Sequence, residues 1–328
     1  MRSKPCTGPG HPPAARPRAQ QGAALLTAML IVVLVTTLAS AMVWQQWRAV
    51  QVEAAERART QAAWILSGAL DWARLILRED ARSGGATTLN EPWATPLAEA
   101  RLSSFLAADK NNTDDGPEAF LSGAIADAQA RYNLRNLVDE AGKVKPVEVA
   151  ALQRLFESIG VAPDLATRVA SGLRGALARA GSEDRPVSPP LTPRNVSQLA
   201  WMGVDAASLR RLAPYIVILP NPTPVNLNTA PREVIAASIE GMDVGAAERL
   251  VEIRKRTPFK TLAEAQATLP ASLTLDPARV GVLSQFFEVR GRVRLGDRML
   301  EELSLVERRG TDIVPLQRQR FNLQDASR

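Results

Sequence analysis

Histidine and cysteine are almost missing from this chain of 328 residues, which has one of each, His11 and Cys6. Both lie in the first 22 residues, a stretch with Arg2, Lys4, Arg16 and Arg18, no acidic residue, and enough proline and glycine (Pro5, Gly8, Pro9, Gly10, Pro12, Pro13, Pro17) to resist folding. Residues 1–22 read as a removable leader, and both residues leave with it. The remainder cannot perform histidine-based acid–base or triad chemistry, has no thiol nucleophile, and lacks the usual zinc ligands. It also has no disulfide to support it in an oxidising compartment. Serines and carboxylates are plentiful, but none falls into a recognisable catalytic spacing, so no enzyme activity is expected. A strong positive charge is missing too. The formal +6 includes the four leader cations, which leaves +2 for the rest, so no nucleic-acid footprint follows from a pI near 10.0.

Charge is absent altogether from Ala23 to Val43, a run of 21 residues that matches the roughly 20 a helix needs to cross a bilayer core. Trp44 and Trp47 follow at the exit, where tryptophan suits a membrane interface. The reading is a retained single-pass anchor in a bacterial inner membrane. Lysine and arginine collect in front of it, which places the N-terminus in the cytoplasm and the bulk of the chain in the periplasm. Ala39-Ser40-Ala41 imitates the cleavage site of a secretory signal, and that is the competing reading.

The junction Gln20-Gln21-Gly22-Ala23-Ala24-Leu25-Leu26-Thr27 puts a glycine directly between the basic leader and the apolar helix. It resembles the processing site of type IV prepilins and of the pseudopilins of type II secretion. The resemblance implies that a membrane peptidase cuts after Gly22 on the cytoplasmic side and methylates the new N-terminus at Ala23. Most members of these families have glutamate at the fifth mature position, and this chain has Thr27. An intramembrane carboxylate is expensive unless paired, and in such filaments it is thought to meet the N-terminal ammonium of the subunit ahead. A subunit with nothing ahead of it has no ammonium to meet, so Thr27 together with the Ala23 amine fits a tip position. A plain membrane helix with a chance glycine is the alternative, and the downstream sequence has to decide.

Beyond the anchor, Trp47, Val50, Ala54, Ala58, Ala62, Ile65, Ala69, Trp72 and Ile76 recur at helical spacing until Ser83-Gly84-Gly85 stops the pattern. A helix from Ala23 to about Arg82 would be roughly 90 Å long, more than one globular domain covers, so half is anchor and stem and half can lie on a sheet. Strand signals run from Gly123 to Val138 and resume at Phe286–Leu295, Met299–Arg308 and Ile313–Gln319. The expected organisation is a leader at 1–22, transmembrane and stem helix at 23–82, first sheet portion at 83–145, helical insertion at 146–283, and second sheet portion with the C-terminal tail at 284–328. The fold class is α+β, a long helix on a small antiparallel sheet, with an all-helical insertion.

That insertion carries proline-rich loops at Pro186–Pro193 and Leu219–Pro224 and what looks like an internal repeat. Val196–Asp205 leading to Ser208–Leu212, and Val234–Asp243 leading to Ala247–Val251, each read as a short helix, a glycine-bearing turn and a second helix. The second unit, within Val225–Ala265, resembles the helix-hairpin-helix of DNA-binding proteins, which holds a phosphate on glycine amides at a helix N-terminus. Here Glu240 and Asp243 in the turn would repel one, while Arg254, Lys255, Arg256 and Lys260 could offset that or simply complement a helix end. Structural use of the hairpin is expected rather than nucleic-acid binding. A membrane-anchored, periplasmic DNA receptor of competence type is the alternative function.

The processing site without its glutamate, the long helix, the stretch GAIADAQARYNLRNL (Gly123–Leu137) and the stretch LAPYIVILPNPTPVNLNTAPREVIAA (Leu212–Ala237) together resemble the minor pseudopilin K family of the type II, or general, secretion pathway. The likeness covers nearly all of the chain from Gln21 onward. It implies the pseudopilin fold and a structural role: with minor pseudopilins I and J, forming the tip of a short periplasmic pseudopilus, starting its assembly and helping to export folded proteins. The other partners it implies are the major pseudopilin, the prepilin peptidase and the inner-membrane assembly platform. Some members of the family bind calcium. Asp109, Asn111, Asp114, Asp115 and Glu118 supply oxygen ligands at suitable positions, though the loop lacks the full twelve-residue pattern. A solvated acidic turn is the competing reading, and calcium is the one cofactor left open.

Overall fold

The computed structural model describes residues 20–103, 118–177, 190–296 and 298–324. The chain divides into two units, Met1–Gln61 and Ala62–Arg328, and the helix α1, Gln20–Ser83, has residues in both. In the first unit α1 has no packed face, because every side chain from Ala23 to Ala54 is exposed. A helix that is apolar all round and covered by no protein suits a bilayer. Charge returns after Trp47, and the new charges pair along the helix, Arg57 with Glu53 at 2.5 Å and Arg59 with Glu56 at 3.1 Å.

The second unit begins with the remainder of α1. Ala62, Leu66, Leu70, Ala73 and Leu77 are buried there, three or four residues apart, as a single helical face requires. The stripe read from Ile65, Ala69, Trp72 and Ile76 is thus one residue out of phase, about 100° around the helix. Those residues flank the packed face, and Trp72 keeps 46% of its surface exposed. The large aliphatic side chains set the phase, whereas a pattern built on alanine can be drawn through several faces. Gly84 and Gly85 then adopt φ of 67° and 104°, left-handed conformations that end the helix.

This half of α1 packs on a five-stranded antiparallel sheet. In spatial order the strands are β1 (Leu97–Arg101), β2 (Ala119–Asp127), β7 (Phe286–Leu295), β8 (Arg298–Arg309) and β9 (Asp312–Gln324). The last three match the expected strands, β7 with the same bounds and β8 and β9 extended. β1 was not expected: Leu-Ala-Glu-Ala-Arg has helical propensity, and pairing with β2 overrides it. Leu121, Val289, Val293, Val306 and Ile313 meet the helix, and Trp93, in a single 3₁₀ turn, stands edge-on to Phe287 with centroids 5.3 Å apart. Helix and sheet approach closely over the opposed glycines Gly123 and Gly291. A Cβ on Gly123 would lie 2.8 Å from the Arg290 carbonyl oxygen, and one on Gly291 would lie 3.0 Å from a Leu66 methyl.

β2 and β7 pair from Ala119 opposite Leu295 to Asp127 opposite Phe287, yet the whole helical body is strung between them. The body contains α2 (Pro146–Ser158), α3 (Asp164–Leu177), α4 (Ala206–Leu212), α5 (Arg232–Ser238), α6 (Val244–Arg256) and α7 (Leu262–Ala267). It is not purely helical. Two short parallel pairs bracket its two lobes, β3 (Tyr132–Asn133) with β4 (Ile216–Val217), and β5 (Val225–Asn226) with β6 (Val280–Gly281). Its core also starts ahead of Pro146, since Tyr132, Leu134, Leu137 and Val138 are buried with α2 and α3. The strand expected over 123–138 accordingly ends at Asp127. Side-chain oxygens of Asp127 and Asn133 accept from the backbone of Gln129 and Arg135, and each turns the chain into a short 3₁₀ segment.

Candidate functional site

At its N-terminal end, α1 runs through Gly22 and Ala23 without a break. The span from Ala23 to Val43 contains four hydroxyl side chains, and all four fold back on the helix. Thr27 donates to the carbonyls of Ala23 and Ala24 at 3.1 and 2.9 Å, and Thr36 to those of Val32 and Val33 at 2.9 Å each. Thr37 donates to Leu34 at 2.9 Å and Ser40 to Thr36 at 2.8 Å. No hydroxyl needs a partner from outside, which is the condition for lying in lipid. Trp44 and Trp47 meet with their rings tilted by 33° and 5.6 Å between centroids where the uncharged span ends. In the second unit Trp64 stays 74% exposed and marks the unpacked side of the helix.

Sequence reasoning missed the site that ties the helical body to the sheet. Three segments, at 127–129, 226–229 and 284, meet at the buried carboxylate of Asp127, at the end of β2. Thr229 Oγ1 donates to Asp127 Oδ2 at 2.5 Å, Ser284 Oγ at 2.6 Å and Asn226 Nδ2 at 3.0 Å, while the Gln129 amide donates to Oδ1 at 2.8 Å. Asn226 also reaches the Thr87 carbonyl just after α1, at 3.0 Å. Burial pushes the Asp127 carboxyl above its ordinary range, although every one of these hydrogen bonds favours the charged form. Three more amides lock the adjoining loops. Asn133 donates to Asn221 O at 2.7 Å and accepts from Leu219 N at 3.1 Å, and Asn136 makes two 2.9 Å bonds to the backbone of Thr223. Asn228 makes two more, also of 2.9 Å, to the backbone of Phe259. The asparagines of Tyr-Asn-Leu-Arg-Asn-Leu and Val-Asn-Leu-Asn-Thr therefore serve as buried substitutes for ladder hydrogen bonds. The occurrence of two asparagines within each short apolar motif was the signal available in the sequence.

The internal repeat is present at its turns. Gly203 and Gly241 have φ of 81° and 77°, each precedes a buried residue, Val204 or Met242, and an aspartate then caps the next helix. Asp205 accepts from the amides of Ala207 and Ser208 at 2.9 and 3.0 Å, and Asp243 from that of Ala246 at 2.6 Å. The leading helix of the first repeat, Val196–Met202, is 3₁₀. At each helix start the aspartate takes up one or two amides and sets a negative charge where a phosphate would sit. Of the four nearby cations, Arg254 is buried against the Leu227 carbonyl, with burial lowering its guanidinium to about 10. Lys255 is held by Glu252 at 2.6 Å, while Arg256 and Lys260 stay exposed.

Asp109, Asn111, Asp114 and Asp115 lie outside the described residues. Glu118, the last of the calcium candidates, pairs with Arg101 at 2.8 Å. Among the described residues no three histidine, cysteine or acidic side chains form a metal-holding group, so calcium stays an expectation of the sequence.

Comparison with known proteins gives a consistent result. The family model for Type II secretion system (T2SS), protein K matches residues 225–283, and a second model with the same description matches residues 130–221. These ranges coincide with the two lobes bracketed by the parallel strand pairs. The Type II secretion system protein K of Pseudomonas aeruginosa is 31% identical over 317 residues, covering 89% of this chain and 90% of the relative. That of Pectobacterium carotovorum subsp. carotovorum is 28% identical over 330 residues, covering 92% and 96%. Among solved structures, a chain from the crystal structure of the GspK-GspI-GspJ complex of the enterotoxigenic Escherichia coli Type 2 Secretion System shares the fold. Its TM-score is 0.64 at 18% identity, over 81% of this chain and 98% of that one.

Proposed function

The chain belongs to the type II secretion system protein K family, and from that premise we propose that it is the minor pseudopilin at the tip of a short periplasmic pseudopilus. There it starts assembly and supports the export of folded proteins. The observation that carries this reading is α1, which is uncharged and unpacked from Ala23 to Val43 and then becomes the core helix of the folded body from Ala62 onward. Such a helix is solvated by a bilayer along one part and by its own sheet along another. In this reading the prepilin peptidase cuts after Gly22, the freed Ala23 amine is methylated and stays available to the next subunit, and Thr27 spares the tip an unpaired carboxylate. The chain then sits single-pass in the inner membrane, with its original N-terminus on the cytoplasmic side.

Minor pseudopilins I and J are the proposed neighbours, by analogy with the GspK-GspI-GspJ complex of Escherichia coli. The major pseudopilin and the inner-membrane assembly platform follow as later contacts. The role is structural, without chemistry by the protein itself. The DNA-receptor reading is not favoured, because the hairpin turns are capped by aspartate, Arg254 is buried within the fold and Lys255 is paired with Glu252. Co-expression with pseudopilins I and J of the same system is the test. We expect a complex of the three on size exclusion and restored secretion in a strain lacking its own protein K. A chain that elutes alone and restores no secretion contradicts the proposal.

A further inference from the structure

The sheet has a second face, turned away from α1, and part of it is walled by the helical body. Between the two runs a groove of about 240 Å³. Leu303 and Leu305 of β8 supply apolar floor from the sheet, and Val217 and Ile218 supply it from the body. Its rim carries three guanidiniums, Arg131, Arg194 and Arg290, against a single carboxylate, Glu288. Arg131 and Glu288 pair at 2.6 Å and neutralise each other. Among the described residues Arg290 has one carboxylate within reach, Glu301 at 3.9 Å, and it shares that carboxylate with Arg292, which lies nearer at 2.6 Å. Arg194 makes no side-chain ion pair among the described residues, and both Arg194 and Arg290 are exposed. β9, the edge strand of the sheet, adds Gln317 and Gln319 to the rim.

An apolar floor beside one unpaired guanidinium, Arg194, and a second, Arg290, that shares its carboxylate with Arg292 matches an extended peptide in which aliphatic and acidic side chains alternate. We propose that this groove docks such an acidic–aliphatic segment of a partner protein, with its carboxylates on Arg194 and Arg290. The groove involves no part of the membrane span, and the inference stands whether or not the chain occupies a pseudopilus tip. A neutral or basic segment leaves Arg194 unpaired and Arg290 sharing one carboxylate with Arg292, so selectivity for acidic sequence follows from the same charges.

Fluorescence anisotropy on the full-length protein in detergent tests this with two labelled peptides, one alternating leucine with aspartate and one alternating leucine with asparagine. The aspartate peptide is expected to bind, and the asparagine peptide to bind about tenfold more weakly or not at all. In Arg194→Ala/Arg290→Ala the aspartate peptide should weaken by about tenfold and lose its salt sensitivity, with Arg256→Ala at parent affinity. Arg194→Ala alone, in a loop outside the sheet, keeps the test valid should the double variant be poorly folded. Equal binding of the two peptides, no binding up to about millimolar concentration, or affinity unchanged by the arginine substitutions overturns the proposal. So does loss of self-association in sedimentation, or of binding to phosphatidylglycerol vesicles, as the sole effect of the double variant, because either would assign the groove to a second copy or to lipid.

Discussion

Thr27 and Asp127 are both polar groups in surroundings that penalise charge, and they solve the problem differently. Thr27 turns its hydroxyl onto its own helix, whereas Asp127 collects donors from across the fold. Replacing Thr27 by glutamate places a carboxylate in the span, where the cost of an unpaired acid reaches about 2.5–3.5 kcal/mol at mid-bilayer and is smaller toward the ends. We therefore expect Thr27→Glu to reduce secretion more than Thr27→Ala in the same complementation assay, and equal activity would remove the tip assignment. Asp127 has a sign that can be checked. Its folded pKa is raised by burial, so between the unfolded and folded values the native state binds more protons than the unfolded one, and stability falls as pH rises through that window. Asp127→Asn removes this contribution. The stability of the variant relative to the parent should rise with pH above about 4, read from thermal unfolding midpoints, and a flat difference would mean that Asp127 is not protonated in the fold. Neither the raised pKa nor the donor set was legible in the sequence, because Thr87, Asp127, Asn226, Thr229 and Ser284 come together only by long-range contact.

At the level of elements, the strands after Phe286 were legible because each alternates over a long run and is bounded by glycine. β1 was not, since its composition favours a helix and only its partner makes it a strand. The membrane span could be read because a bilayer imposes length and apolarity on a single segment, with no tertiary context needed. The buried face of α1 was read one residue out of phase, because alanine fills either the packed face or its flank. Gly123 had no evident role in sequence, yet it lets β2 and β7 pair where α1 presses closest. Gly123→Ala places a methyl 2.8 Å from the Arg290 carbonyl oxygen, a backbone atom that cannot swing away. A loss of about 1–3 kcal/mol, seen as a lower denaturation midpoint, is expected. A midpoint within error of the parent would show that the sheet can open there without penalty.

For the molecule as a whole, the placement of a two-lobed helical body between two strands that are themselves partners fixes both ends of the insertion at one seam. The Asp127 cluster lies at that seam, and the body is held to the sheet by polar as well as apolar contacts. The resemblance to the protein K family could be seen before the structure because several weak features coincided in one order along the chain. The lobes themselves could not, since two-residue parallel pairs leave almost no pattern in sequence. In the proposed function, processing at Gly22 would connect the sequence to the assembly, because a cut there would free an amine on Ala23. The decisive measurement is the N-terminal mass of the membrane-extracted protein, expressed with and without a prepilin peptidase. A processed pseudopilin starts at Ala23, with an added methyl, only when the peptidase is present. An intact leader in both samples, or a start after Ala41, would contradict it.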